Sequence, residues 1–317
     1  MIRAVFLASL VAFPAPPQVN PEDIARPSVV PVTVTWHGWV RDKQTGEVFG
    51  GAKGYEATTR CAGAVINPAG YVVTTSSCVH SGPEGGTAAL VERAMADLAK
   101  MGRIGDPAKA RRMLTERAVA EGAAPDRPID RVITVGDDTA SVVDLVAPAD
   151  GDIAVLRIPR SGLPSVEIRD DRPPAVITSG GVVIDEEGRL VGLVGRDGAI
   201  AEARLARGLL RDVKPELGAH DRNYRVGLSR YHAGNYDSAI DYFDAVVAES
   251  PANTHAAEFR AKAAAKGGSP GDATSLQTLL IYVFGGVTLI AGGLGVWLLR
   301  RRAGSAPPVP PQPDPSP

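Results

Sequence analysis

Apolar and polar positions follow different periods in different parts of the chain. Val29–Val40 alternates Val32, Val34 and Trp36 with Thr33 and Thr35, the period of a half-buried strand. Ala62–Ile66 and Tyr71–Thr75 are apolar runs joined by Asn67-Pro68-Ala69-Gly70, which predicts two strands and a tight turn. Ala88–Met101 and Pro107–Glu121 carry helical spacing, broken at Gly102–Asp106, and predict a helical hairpin inserted between strands. Strand character returns at Arg131–Val135, Ala140–Val146 and Ile153–Ile158. Val182–Ile184 and Leu190–Val194 flank Asp185-Glu186-Glu187-Gly188, a hairpin whose acids are expected in a solvated turn. Residues 28–200 thus read as mainly β with a helical insertion at 87–122, in the class of small barrels and sandwiches.

From Glu202 the pattern turns helical. Within 222–253, Gly227, Gly234, Tyr236, Ala239, Ile240, Phe243 and Pro251 fall at a spacing that resembles one tetratricopeptide (TPR) helix–turn–helix. Small residues let the paired helices approach, with Tyr236 and Phe243 filling the space between them. Ala256–Ala265 is expected as a capping helix and Glu202–Val213 as a helix on the other side, giving a helical region at 202–266. One repeat cannot bury its own faces and must dock onto neighbours. A structural spacer and a peptide-binding groove both fit.

The two ends are apolar in a different way. Leu276–Leu299 has Gln277 as its one strongly polar side chain, and as a helix it spans about 36 Å, enough to cross a hydrocarbon core of about 30 Å. Arg300, Arg301 and Arg302 follow at once, so the positive-inside rule places the C-terminus in the cytoplasm and the body outside. Residues 1–17 resemble a secretory signal: Arg3, the apolar run Ala4–Phe13, then prolines. The segment 300–317 is the arginine cluster and a proline-rich tail, extended in character. The expected location is the cell membrane, single-pass, with an extracytoplasmic body.

Composition narrows the chemistry. The 317 residues are 44% hydrophobic and 22% charged with a net charge of −2, which excludes a polybasic nucleic-acid binder, a collagen-like repeat and a wholly disordered chain. No glycine-rich phosphate loop opens a helix, so nucleotide binding has no support. Asp150 and Asp152 flank Gly151 without a third carboxylate at metal-site spacing. No cofactor or metal is expected, and no nucleic-acid partner. With two cysteines, an exported body makes a Cys61–Cys78 disulfide the expectation, a reduced buried pair and intermolecular pairing being the alternatives. Histidine chemistry must use His37, His80, His220, His232 or His255. His37, between Trp36 and Trp39, reads as a partly exposed strand residue.

Three blocks carry a family resemblance. Cys61-Ala-Gly-Ala-Val-Ile-Asn-Pro-Ala-Gly-Tyr-Val-Val-Thr-Thr-Ser-Ser-Cys78-Val resembles the N-terminal barrel of trypsin-like serine proteases, nearest the HtrA-like branch. Gly151-Asp152-Ile153-Ala154-Val155-Leu156 resembles the strand that carries the triad aspartate. Ser179-Gly180-Gly181-Val182-Val183, with Glu187–Gly192, resembles the nucleophile loop and its following hairpin. The resemblance implies a trypsin-like barrel, with Asp152 as the orienting carboxylate and Ser179 as the nucleophile.

The departures are chemical. The family histidine immediately before the second cysteine is Ser77, and a serine hydroxyl is too weak a base to activate another serine. His80 lies two residues beyond that cysteine and is expected to point elsewhere. At the position that helps form the oxyanion hole the family has glycine and this chain has Ile177. The stretch between Asp152 and Ser179 accommodates two or three strands, too few for a complete second barrel.

These features imply a membrane-anchored pseudo-protease that binds a protein or peptide partner through its barrel or TPR-like segment. The alternatives are a serine endopeptidase whose base is His80 or is supplied in trans, and an envelope adaptor acting through its helical repeat.

Overall fold

The computed structural model describes residues 19–269 except Gly105. The expected signal (1–17), membrane span (276–299) and tail (300–317) lie outside the described residues. Among the described residues no helix is long and apolar enough to cross a membrane.

A short helix, α1 (Pro21–Ala25), is capped by Asn20, whose Oδ1 accepts the Glu22 N–H, and leads into the long strand β1 (Val29–Asp42). The alternation read from Val32, Val34 and Trp36 is realised in full, since all three are buried. β1 pairs antiparallel with β3 (Tyr55–Asn67) from Val29 opposite Ala64 to Gly38 opposite Tyr55. β3 continues to β4 (Tyr71–Thr74), β4 to β8 (Ile153–Arg157), β8 to β7 (Asp138–Val146) and β7 to β6 (Asp130–Val135). β6 then returns to β1, with Val135 opposite Val32, and closes a six-stranded antiparallel barrel. Closure removes the unpaired edges that an open sheet would expose.

The insertion departs from its predicted form at one end. After the short helix α2 (Ser76–Val79), helix α3 (Gly86–Lys100) buries Leu90, Val91, Ala94, Met95 and Leu98 in the core that also holds Trp36. Helix α4 (Pro107–Arg117) stops short of Glu121, because Ala118–Glu121 forms a strand, β5, against Trp39–Asp42 of β1. The distal end of β1 offers a ladder there, and backbone pairing overrides the weak helical pattern of Ala118-Val119-Ala120. An Arg41–Glu121 ion pair at 2.9 Å reinforces this pairing, while the two-residue β2 (Val48–Phe49) pairs nearby with Val40 and Arg41.

The second sheet is open. It has four strands in the order β12 (Ile200–Glu202), β11 (Leu190–Val194), β10 (Val182–Ile184) and β9 (Ile177–Ser179). The segment after β8, expected to hold further strands before Ser179, contributes one isolated bridge, Ile168 to Leu190. β3, β4 and β8 are consequently buried on both faces. Val65, Val72 and Leu156 point into the barrel, while Ala64, Ile66, Val73, Ile153 and Val155 pack on Val182, Ile184, Leu190 and Leu193 of the second sheet.

The long helix expected at Glu202–Val213 is reduced to a helical turn and the four-residue α5 (Ala206–Leu209). Pro215 disfavours the helical region at Lys214, and residues 210–218 form no helix before α6. α6 (Ala219–His232), α7 (Tyr236–Glu249) and α8 (Thr254–Ala265) then pack around Tyr224, Leu228, Ile240, Phe243 and Phe259. Gly227 permits this approach, since a Cβ there would lie 2.7 Å from the Phe243 ring. Phe243 is fully buried, but Tyr236 does not fill the gap as expected. It sits at the rim, edge-on to Tyr231, and Tyr224 and Phe259 take the interior beside Phe243.

Candidate functional site

Two turns bring together two of the positions singled out by the protease resemblance, Ser77 and Asp152. β4 ends in Thr74 and runs into α2, which carries Ser76, Ser77 and Cys78. On the neighbouring strand, Gly151 and Asp152 form the turn before β8, both with positive φ (151° and 51°). A left-handed conformation at a non-glycine residue costs about 1 kcal/mol or more and persists where surrounding bonds hold it. They are present here. The Ser76 N–H donates to the Asp152 carbonyl at 3.1 Å and the Ser76 hydroxyl to Asp152 Oδ1 at 3.0 Å. Ser77 donates its N–H to Oδ1 at 2.6 Å and its hydroxyl to Oδ2 at 3.0 Å.

The hydroxyl of Ser77 therefore takes the carboxylate contact that an orienting aspartate gives an imidazole. An imidazole held this way keeps a second nitrogen for a nucleophile's proton; a hydroxyl has no comparable basicity near neutral pH. The five histidines are engaged elsewhere. His80 Nδ1 accepts the Gly82 N–H at 3.1 Å, His37 Nε2 meets the Lys53 carbonyl at 2.8 Å, and His220 Nε2 meets the Leu163 carbonyl at 3.0 Å. His255 pairs with Glu258, and His232 stands edge-on to Tyr231. Among the described residues no hydrogen bond joins any of them to Asp152 or Ser179.

Ser179 and Ile177 lie in β9. Ser179 pairs with Val182 across Gly180 and Gly181, whose φ values of 59° and 84° make a two-residue hairpin turn. Its hydroxyl has no hydrogen-bond partner among the described residues. Ile177 pairs with Ile184 in the ladder and packs on the second core, so its backbone is committed to the sheet. The Ser-Gly-Gly sequence, which resembles a nucleophile loop, is folded here as the tip of a hairpin.

Cys61 and Cys78 form a disulfide that ties β3 to α2. It lines a cleft of about 980 Å³ together with Thr75, Ser77, Gly181, Gly195 and Arg196. A Cβ at Gly181 would lie 2.8 Å from that of Ala62, and one at Gly195 would lie 3.2 Å from Asp152 Oδ2, so both glycines allow a close approach. A second hollow of about 720 Å³ shares Ser77 and Arg196 and reaches Gly151 and Asp152. Ser179 lines neither.

Two buried polar clusters have no counterpart in the reading of the sequence. Asp185, expected in a solvated turn, is 1% exposed. Its Oδ1 accepts the N–H groups of Glu187 and Arg189, and its Oδ2 accepts from the guanidiniums of Arg169 (2.8 Å) and Arg189 (2.7 Å). Burial pushes this carboxyl up, but the Arg189 N–H and the two guanidiniums outweigh it and hold the group below the usual carboxylate range. The Asp-x-x-Gly turn signal was legible in the sequence; the distant Arg169 was not.

The other cluster joins Ser165 to α6. The Ser165 hydroxyl donates to Asp221 Oδ2 at 2.5 Å and its N–H to Oδ1 at 2.9 Å, while the Gly218 N–H also donates to Oδ2. His220 lies 3.5 Å from Asp221 Oδ1. Serine, histidine and aspartate meet here, but the hydroxyl donates to the carboxylate and all three are buried. The arrangement caps a helix and docks it.

No family model matches the sequence, and no curated protein does. Among solved structures, the chain is similar to the Rv3671c protease from M. tuberculosis in its active form, with a TM-score of 0.29 and 14% identity over 69% of this chain and 97% of that one. It is similar to a serine endoprotease from Yersinia pestis with a TM-score of 0.28 and 15% identity over 63% and 69% of the two chains. An HtrA-type protease with a bound tripeptide gives a TM-score of 0.28 and 12% identity over 59% and 60%. The six-stranded barrel is defined independently of these similarities by the β6–β1 pairing.

Proposed function

We propose that residues 28–200 are a degenerate trypsin-like serine protease domain that has lost its general base and serves as a protein- or peptide-binding module. The observation that carries this reading is the pair of bonds from Ser77 to Asp152, which fills the site of the orienting aspartate's partner with a hydroxyl. Ser179 at a hairpin tip, Ile177 within a strand ladder and the open second sheet support it. The helical region, resembling a TPR unit, is a second docked module. The body is held outside the cytoplasmic membrane by the span at 276–299.

Labelling with a serine-directed fluorophosphonate tests the loss of catalysis. The expected result is no stoichiometric modification of Ser179. Labelling that disappears in Ser179→Ala would establish an endopeptidase with a base from His80 or from a partner.

A further inference from the structure

A cluster of aromatic and basic side chains gathers at the end of the helical region where the chain leaves the described fold. α6 ends at His232, α7 begins at Tyr236 and α8 ends at Ala265, so two C-termini and one N-terminus share that end. Gly268 lies against Tyr236 and Ile240, and Ser269 donates its N–H to Asp237 Oδ1 at 2.6 Å, which pins the exit beside α7. Tyr231 and Tyr236 meet edge-on with 5.7 Å between ring centroids. The Lys266 ammonium stands over both rings, 4.5 Å from the centre of Tyr231 and 5.4 Å from that of Tyr236.

Lys262 lies one turn back on the same face of α8, with its ammonium 4.5 Å from the centre of the Phe259 ring. Both lysines are exposed, and neither has a carboxylate partner among the described residues. The acids beside them are engaged elsewhere: Glu258 pairs with His255, Asp244 with Arg260, and Asp237 holds Ser269. Two unpaired ammonium groups beside two half-buried phenols match the chemistry of a bilayer interface, where rings sit at headgroup level and lysines reach phosphates. The chain that follows brings a bilayer within range. Ser269 and Leu276, the first residue of the apolar stretch, are joined by Cα steps that extend at most about 25 Å.

We propose that this end of the helical region seats on the membrane surface, with Lys262 and Lys266 against the phosphates of anionic phospholipids and Tyr231 and Tyr236 at headgroup level. The proposal rests on the membrane span inferred above, and it names the face of the body that meets the lipid and the chemistry of the contact.

The test uses the full chain reconstituted in nanodiscs of phosphatidylcholine, with and without phosphatidylglycerol. A fluorophore on Ala233→Cys, in the exposed turn between α6 and α7, reports on the seated end. A second, on Gln44→Cys, lies past the far end of β1, about 40 Å along that strand from the point where α8 packs on Arg26–Ser28. Both native cysteines are in the disulfide, so no other thiol takes the label. Lipids spin-labelled at the headgroup should quench the Ala233→Cys probe and spare the Gln44→Cys probe, and phosphatidylglycerol should deepen the quenching. Lys262→Glu together with Lys266→Glu should lower the ratio of seated to free chain about tenfold or more, the worth of two cations at an anionic surface. Arginine at both positions should restore it. Equal quenching of the two probes, quenching indifferent to phosphatidylglycerol, or an unchanged ratio in the double glutamate variant would overturn the proposal. Extraction of the chain from vesicles by alkaline carbonate would overturn the span along with it. A chain that resists carbonate but fails the quenching test would keep the span and lose this contact.

Discussion

Ser77 gives both its backbone N–H and its hydroxyl to the carboxylate of Asp152, at 2.6 and 3.0 Å. Together with Ser76 they hold Asp152 in a left-handed conformation that an aspartate otherwise adopts at a cost. The pair is thus a structural clamp on the turn before β8. Ser77→Ala removes the donor to Oδ2 while sparing the backbone bond to Oδ1. It should destabilise the protein by about 1–2 kcal/mol, the cost of leaving a partly buried acceptor short of a donor. Urea denaturation measures this, and an unchanged midpoint would mean that solvent replaces the hydroxyl without loss.

Asp185 predicts an acid dependence of stability. Its folded pKa is held below the ordinary carboxylate value, so its contribution is complete above the unfolded pKa of about 3.9 and is lost as pH falls through the folded value. Asp185→Asn should cost about 1–3 kcal/mol at pH 7, because it takes the buried carboxylate from Arg169 and Arg189, which keep only the exposed Asp171 and Glu187 as partners. The gap between wild type and variant should narrow below about pH 4. Urea midpoints across pH 2–7 decide it; a gap independent of pH would assign the loss to packing.

Gly227→Ala sets two effects against each other. Alanine favours a helix interior over glycine by about 1 kcal/mol, but its Cβ would lie 2.7 Å from the fully buried Phe243 ring. Overpacking costs about 1–3 kcal/mol, so the net effect should be destabilising. Thermal unfolding of the full chain would show it as a lower Tm; a raised Tm would mean that α6 and α7 part easily.

The barrel strands were legible because β1 and its neighbours alternate faces locally, as Val32, Val34 and Trp36 do. Closure was legible only through the family resemblance, which implied a barrel: Val32 meets Val135 about a hundred residues away, and no local pattern records that meeting. The strand at Ala118–Glu121 was hidden for the same reason, since its partner lies far back in β1. At the site, the order of motifs singled out Ser77 and Asp152, and the cysteine pair drawn from the same block forms the disulfide. Ser179-Gly180-Gly181 suits both a nucleophile loop and a positive-φ hairpin turn, and the fold takes it as the turn. Asp185 misled because an acid-rich turn signals solvent until a distant arginine arrives.

β3, β4 and β8 serve as a party wall. Val65, Val72 and Leu156 belong to one room, and Ala64, Val73 and Val155 to the next. A fragment cut after β8 would keep every strand of the barrel and still present Ala64, Ile66, Val73, Ile153 and Val155 to water, a contiguous aliphatic patch of the kind that drives aggregation. The closed barrel therefore has no independent existence. Its outer surface is already the interior of its neighbour, and truncation there trades a domain for a precipitate.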